Sequence, residues 1–278
     1  MTDDREITMK CKTSNYENIV ASFFQKVEKD YGMGLVQYWI TDHIQKAKEG
    51  LPSYLMKILD RKRQQSDSIM ALDLCCGWGE SVANCLINGV NCYGVDKDEK
   101  IRFGKKLLNE NHLPCRLIRG DAFSLPFRKE TFDIIFSFSS LEHIKDPESL
   151  FRIIHLILKE NGIFFFNFPN MIYPVDGHTM LWGVPYLPHH LAEKYVKYRR
   201  KRRQDDVWDV WYHKKRNVTR WLTQSGFKIV EGFINFDNSK HKKSFFKKSV
   251  VNFVKKLGVD PYAILSMKAP MIFMVAEK

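Results

Sequence analysis

Between positions 69 and 168 the chain alternates two hydrophobic rhythms. Short apolar runs at 69–74, 91–96, 115–119, 132–138 and 163–168 have the length and composition of buried strands. Stretches at 80–86, 99–109 and 148–158 carry their apolar residues every three or four positions, as helices do. Short turns join them; Asn88-Gly89 ends the first helix and Asn161-Gly162 leads into the fifth strand. This alternation predicts an α/β fold with a doubly wound, mostly parallel sheet. Upstream, Ile19, Phe23, Phe24 and Val27 recur at helical spacing, and 35–48 and 51–59 continue it after a Tyr-Gly-Met-Gly break. The expected organisation is an N-terminal helical cap over 1–65 and a main domain over 66–278. Two stretches break the alternation, at about 171–216 and 236–268, and are read as inserts. A sixth strand is expected to about 233 and a last one over 271–276.

The most informative junction is the first. The run at 69–74 ends in Cys75-Cys76-Gly77-Trp78-Gly79, and a helix starts at Glu80. A buried strand, a glycine turn and a helix N-terminus let the backbone come close to a ligand and turn free N–H groups toward it. Asp73 interrupts the apolar run, and a carboxylate there is costly unless it binds something or holds the turn. Asp96 closes the second strand, 17 positions beyond Gly79, where a carboxylate is able to accept both hydroxyls of a ribose.

This stretch resembles motif I of the class I S-adenosylmethionine (SAM) methyltransferases, with the type 11 members the nearest in character. Their pattern is an acidic residue, an apolar residue and three alternating glycines; Cys75 stands in the first glycine position, with Gly77 and Gly79 in the later two. The resemblance covers roughly 68–169. It implies a Rossmann-like, seven-stranded sheet whose last strand runs antiparallel between its neighbours, with SAM as cofactor. It also implies that Asp73, Cys75, Gly77 and Gly79 line the methionine side and that Asp96, with its neighbour Lys97, meets the ribose. Gly120-Asp121-Ala122-Phe123, followed by Leu125-Pro126-Phe127, resembles the adenine-binding stretch. Asp121 would accept from the exocyclic amine, the Ala122 N–H would reach a ring nitrogen, and Phe123 would pack on the base. Ser139, opening Ser139-Ser140-Leu141-Glu142-His143-Ile144 after the fourth strand, would lie beside the methyl group. In this family an N-terminal segment often closes the substrate pocket, which makes Tyr16 and Tyr31 candidate pocket residues.

Composition narrows the partners. A formal charge of +12 favours phosphorylated or otherwise anionic partners: a phosphate-bearing acceptor, an anionic membrane face or RNA. Six cysteines without a CxxC pair are read as free thiols of a reducing cytoplasm, and a polar, acidic N-terminus as no signal peptide. The sequence holds no apolar stretch long enough to span a bilayer. Lysines surrounding Phe246, Val250, Phe253, Val254 and Leu257 predict a basic amphipathic helix able to rest on a membrane surface.

The first insert is expected to hold the acceptor. It carries Tyr173, Asp176-Gly177-His178-Thr179, Trp182 and His189-His190, then six basic residues among positions 197–203, including Arg199, Arg200, Arg202 and Arg203. Tyr173, Trp182, Arg199 and Arg200 are the candidate acceptor contacts. Its Asn-Pro, Gly-His-Thr and Leu-Pro arrangement is similar to one in methyltransferases found beside bacterial glycan-assembly genes. His178 is the candidate base for a hydroxyl acceptor, with Asp176 or Asp146 to orient it and His143 as a second candidate. The histidine spacing predicts no metal site, for want of a third ligand. Asn167-Phe168-Pro169 stands one element too late for the pattern of DNA-base amino methyltransferases. The reading is transfer of a methyl group from SAM to a small-molecule, glycan or lipid-linked acceptor, at oxygen. RNA methylation and a noncatalytic SAM-binding scaffold are the alternatives.

Overall fold

The computed structural model describes residues 11–31, 36–66, 68–200, 209–234 and 269–278. Seven strands form one sheet in the order β3-β2-β1-β4-β5-β7-β6, with β1 Met70–Leu74, β2 Asn91–Asp96, β3 Leu117–Arg119, β4 Phe132–Ser137, β5 Leu158–Pro169, β6 Lys228–Ile234 and β7 Met271–Glu277. The helices are α1 Ser14–Tyr31, α2 Val36–Glu49, α3 Ser53–Arg63, α4 Glu80–Ile87, α5 Ile101–Glu110, α6 Pro147–Ile157, α7 His189–Arg200 and α8 Lys215–Gln224. This is the mixed, mostly parallel sheet of the expected fold class. The chain divides into two compact units: 1–137 with 149–165 and 277–278, and 138–148 with 166–276.

In the first unit β1 is central. Met70 to Leu74 pair in parallel with Asn91 to Val95 of β2, and Ala71 to Asp73 with Ile134 to Phe136 of β4. Ala71, Leu72 and Leu74 are fully buried, which is why the run reads as continuously apolar rather than alternating. Helices α1 and α2 pack on each other, α2 on α4, and α1 on α5. Their contact is aromatic: the Trp78 ring stacks on His43 at 4.4 Å and lies nearly parallel to Phe24 at 5.5 Å. Gly104 of α5 makes a further approach possible. A Cβ there would stand 2.1 Å from the Trp78 carbonyl oxygen, so only glycine lets α5 press against the turn before α4.

One boundary differs from expectation. Strand β5 begins at Leu158, and Asn161-Gly162 lies inside it rather than before it. Asn161 takes a left-handed φ of 59°, and the chain end captures its surroundings: Lys278 N–H donates to the Gly162 carbonyl at 3.0 Å. A long-range strand partner thus overrides a local turn signal.

In the second unit β7 runs antiparallel to its neighbours, and the Asn170 N–H donates to the Pro270 carbonyl at 2.8 Å. A separate apolar cluster of Leu181, Val184, Ala192, Val196 and Val210 holds the first insert together, with Tyr195 and Tyr212 against it. The basic amphipathic stretch predicted within 236–268 lies outside the described residues, as do Arg202 and Arg203 and the side chains of Tyr31 and Arg200.

Candidate active site

The nucleotide-binding half is built on the glycine turn after β1. Cys75, Gly77 and Gly79 all adopt left-handed backbone, at φ 60°, 55° and 80°. The family's glycine position taken by Cys75 is therefore a real conformational demand, and a side chain there costs on the order of 1 kcal/mol. Cys75→Gly is expected to leave SAM affinity unchanged and to raise stability by up to ~1 kcal/mol, as read by chemical denaturation. A loss of stability would show that thiol packing outweighs backbone strain. Burial, then the nearby carboxylates Asp96 and Asp73, push the Cys75 thiol up to about 12, so it is no nucleophile at neutral pH.

Asp96 ties the turn to β2. One carboxylate oxygen accepts the Gly77 N–H at 2.7 Å and the other accepts the Asp98 N–H at 2.8 Å. Each oxygen keeps a second lone pair for a ligand hydroxyl. Lys97 is exposed, and its carbonyl accepts from Arg119 Nε. Asp73 is 4% exposed; burial first, then Glu80 and Asp96, hold its carboxyl well above the usual carboxylate range. A cationic ligand beside the turn would favour the ionised form of Asp73, which burial and its neighbours now disfavour. After β3, one Asp121 oxygen accepts the Phe123 N–H at 2.9 Å, which shapes the Gly120–Phe123 loop. Phe123 is 40% exposed beside the buried Ala122, an apolar ring face presented to solvent. A Cβ at Gly77 would meet nothing within 4 Å, so space stands open above the turn. Open space over a glycine, paired acceptors and an exposed ring fit a nucleoside with a positively charged tail, which SAM is.

Tyr16, a candidate pocket residue by sequence, serves the interior of the first unit. It is fully buried, and its hydroxyl donates to Glu80 Oε1 at 2.5 Å, the same oxygen that His43 Nδ1 approaches at 2.5 Å. Burial alone would raise the Glu80 carboxyl; the hydrogen bond and charge of His43, with the Tyr16 hydroxyl, hold it below its ordinary value.

The second unit contains the acid–base groups. Ser139 takes a left-handed φ of 51° and donates its N–H to Asn167 Oδ1 at 2.6 Å. A 3-10 turn, Leu141–His143, follows. Glu142 there is 1% exposed, and its Oε1 lies 3.5 Å from His178 Nε2. The rings of His143 and His178 meet edge to face with centroids 5.0 Å apart. His143 Nδ1 lies 3.2 Å from Asp209 Oδ2. Burial would lower the His143 pKa, but Asp209 and the Glu142 charge raise it above the ordinary value.

His178 sits on a tight loop. Val175 bridges Trp182, and the Asp176 N–H donates to the Leu181 carbonyl at 3.0 Å. Asp176 is 1% exposed, and its Oδ2 accepts both the N–H and the hydroxyl of Thr179, while Tyr212 donates to its Oδ1. The expectation that Asp176 orients the imidazole is thus replaced: Asp176 locks the loop, and Glu142 is the carboxylate beside the ring. The sequence reading found no third ligand beside the histidines; the fold brings Glu142 next to two of them. One ligand atom each from Glu142, His143 and His178 lie within 4.8 Å of one another. Tyr173 is half-buried and Trp182 is 68% exposed near Tyr186. Arg199 is exposed in the last turn of α7. Glu142, Asp209 and Tyr212 escaped sequence reasoning as site residues; the adjacent acid and imidazole at Glu142-His143 were the one available signal.

Residues 72–166 match a family model described as a methyltransferase domain. The chain is similar to an uncharacterised protein of Methanocaldococcus jannaschii, 28% identical over 242 residues, covering 81% of this chain and 89% of that one. It is similar to a demethylmenaquinone methyltransferase of Lactobacillus johnsonii, 32% identical over 98 residues, covering 33% of this chain and 40% of that one. The chain thus spans less than half the length of that named relative. A solved SAM-dependent methyltransferase of Clostridium acetobutylicum shares the fold with a TM-score of 0.51 and 15% identity, covering 80% of this chain and 89% of that one.

Proposed function

Since the chain belongs, through residues 72–166, to the class I SAM-dependent methyltransferases, we propose that it methylates an oxygen of a small or lipid-linked acceptor. The observation that carries this reading is the buried Glu142 carboxylate beside His143 and the partly exposed His178. A sulfonium methyl is activated already, so transfer to a neutral amine needs mainly alignment. A hydroxyl must in addition lose its proton, and a carboxylate–imidazole cluster is what that step requires. When bound, SAM supplies an electrophilic methyl group on positive sulfur. Asp96 and Asp121 hold the nucleoside, the acidic turn holds the charged tail, and the Glu142–His143–His178 cluster handles the acceptor proton.

A lipid-linked acceptor draws support from two sides. One relative, matched over 40% of its length, is named a demethylmenaquinone methyltransferase. The first insert of this chain exposes Ile172, Met180, Trp182, Tyr186 and Leu191, a concentration of apolar surface able to receive such a molecule. Arg199 and the basic residues after it are proposed to hold a phosphate of the acceptor or an anionic surface. No helix among the described residues is long and apolar enough to cross a membrane.

The test uses methyl-labelled SAM, the full-length protein and fractionated cell extract. Label is expected in a product that survives ribonuclease. With the active fraction as acceptor, His178→Gln should slow the single-turnover step by roughly 100-fold or more and change SAM affinity little. Ribonuclease-sensitive label would transfer support to RNA methylation, which the +12 charge favours. Absence of label with SAM bound would favour a noncatalytic role.

A further inference from the structure

We infer that Glu142, His143 and His178 bind a divalent transition-metal ion of the zinc type, placed to take the acceptor oxygen in its open coordination position. The inference rests on the proposed function, which it deepens, and all three ligands lie in the second unit.

The first ground is geometric. The three ligand atoms lie within 4.8 Å of one another, and the Glu142 Oε1–His178 Nε2 separation is 3.5 Å. Tetrahedral coordination with metal–ligand bonds near 2.0–2.1 Å places ligand atoms roughly 3.3 Å apart. One pair therefore already stands near that spacing, and the third atom has at most about 1.5 Å to close, within side-chain rotation on binding.

The second ground is an orphaned group. Glu142 Oε2 is buried and has no hydrogen-bond partner among the described residues. A buried carboxylate oxygen without a donor costs free energy, and a cation at the cluster supplies the missing partner. The donor types add a third ground. Two imidazoles and one carboxylate form a mixed nitrogen–oxygen set, which selects zinc, iron or manganese over calcium and magnesium. Three protein ligands are the number that leaves a coordination position for water or substrate.

The surroundings fix the ligands. Asp209 lies beside the His143 ring, and the Trp211 N–H donates to the Glu142 carbonyl at 2.6 Å. Thr179 and Tyr212 hold Asp176, which locks the loop carrying His178. Such outer contacts orient metal ligands before the metal arrives.

The chemistry follows. A zinc-type ion lowers the pKa of a bound hydroxyl toward 7, so the acceptor O–H bond breaks and its proton leaves to solvent. The oxygen lone pair then forms the O–C bond as the C–S bond breaks, and its electrons leave on a neutral thioether sulfur. His178 acts in this scheme as a ligand rather than as a free base.

The experiment is calorimetric titration of the metal-stripped, full-length protein with Zn2+ alone, without SAM or acceptor. One site per chain is expected, insensitive to excess Mg2+. Glu142→Gln and His178→Gln should each weaken Zn2+ binding by at least about 100-fold; even outer-contact substitutions cost 10–100-fold. Retained SAM affinity and an unchanged circular dichroism spectrum would show that the variants fold. Co2+ in place of Zn2+ should give a visible absorption spectrum in the wild type that both variants lose. Failure of the wild type to bind Zn2+, or equal binding by the variants, would overturn the metal site. O-methyl product formed at full rate after chelation would likewise overturn it and leave the proposed function intact. Zn2+ binding with label only on RNA would support the site and remove the acceptor reading.

Discussion

Replacing Asp96 with alanine is expected to weaken SAM binding by roughly 100-fold or more, the largest effect of any single change in the nucleotide half. Two hydrogen bonds to a charged acceptor contribute about 1.5–3 kcal/mol each. The substitution acts twice. It removes the acceptors for the ribose hydroxyls, and it releases the Gly77 and Asp98 N–H groups that the carboxylate holds at 2.7 and 2.8 Å. Asp96→Asn separates the two effects, because the amide keeps one acceptor oxygen and nearly the same shape. It should fall between wild type and alanine. Titration calorimetry reads both, and equal affinity across the three proteins would remove Asp96 from the cofactor site.

The second large effect concerns stability. Glu80→Ala should cost about 3 kcal/mol, because it leaves Tyr16 and His43 inside without their shared acceptor. Those residues come from α1 and α2, so the loss should fall first on the seating of these helices against α4. The pH dependence has a definite sign. The folded Glu80 carboxyl is held below its ordinary value of 4.5, so its contribution is complete above that pH. It is lost as pH falls below 4.5 through the folded value, where the carboxylate takes up a proton. The stability difference between wild type and Glu80→Ala, measured in urea, should therefore shrink on acidification. A difference constant between pH 7 and pH 3 would show that Glu80 stabilises by packing alone.

Much of the first unit was legible because its information is local. A buried strand, a left-handed turn and an amphipathic helix leave a contiguous signature, and Asp96 and Asp121 stand at strand ends that a period of hydrophobicity locates. Even the substituted glycine position was visible, although only backbone angles show that Cys75 carries a left-handed φ of 60°. Tyr16 misled because an aromatic residue reads alike on a pocket wall and in a core; its hydroxyl partner lies 64 residues away. The acid–base cluster was legible in part. His178 stood out by its turn residues, but Glu142 sits in a short 3-10 turn and Asp209 on an irregular stretch. Neither position carries a periodicity, and their meeting with the histidines is a product of tertiary folding. Asp176 was assigned to the ring for its nearness in sequence, whereas the loop N–H groups and hydroxyls around it compete more successfully for its oxygens.

The central claim is that this chain transfers the SAM methyl to an acceptor oxygen. Its most direct test is the chemical linkage of an isotope-labelled methyl carbon in the product, read by nuclear magnetic resonance after incubation with fractionated extract. The account predicts a methyl ether or ester on a small or lipid-soluble molecule, formed by wild type and strongly reduced with Asp96→Ala at limiting SAM. Label on nitrogen or in nucleic acid, or equal labelling by both proteins, would contradict it.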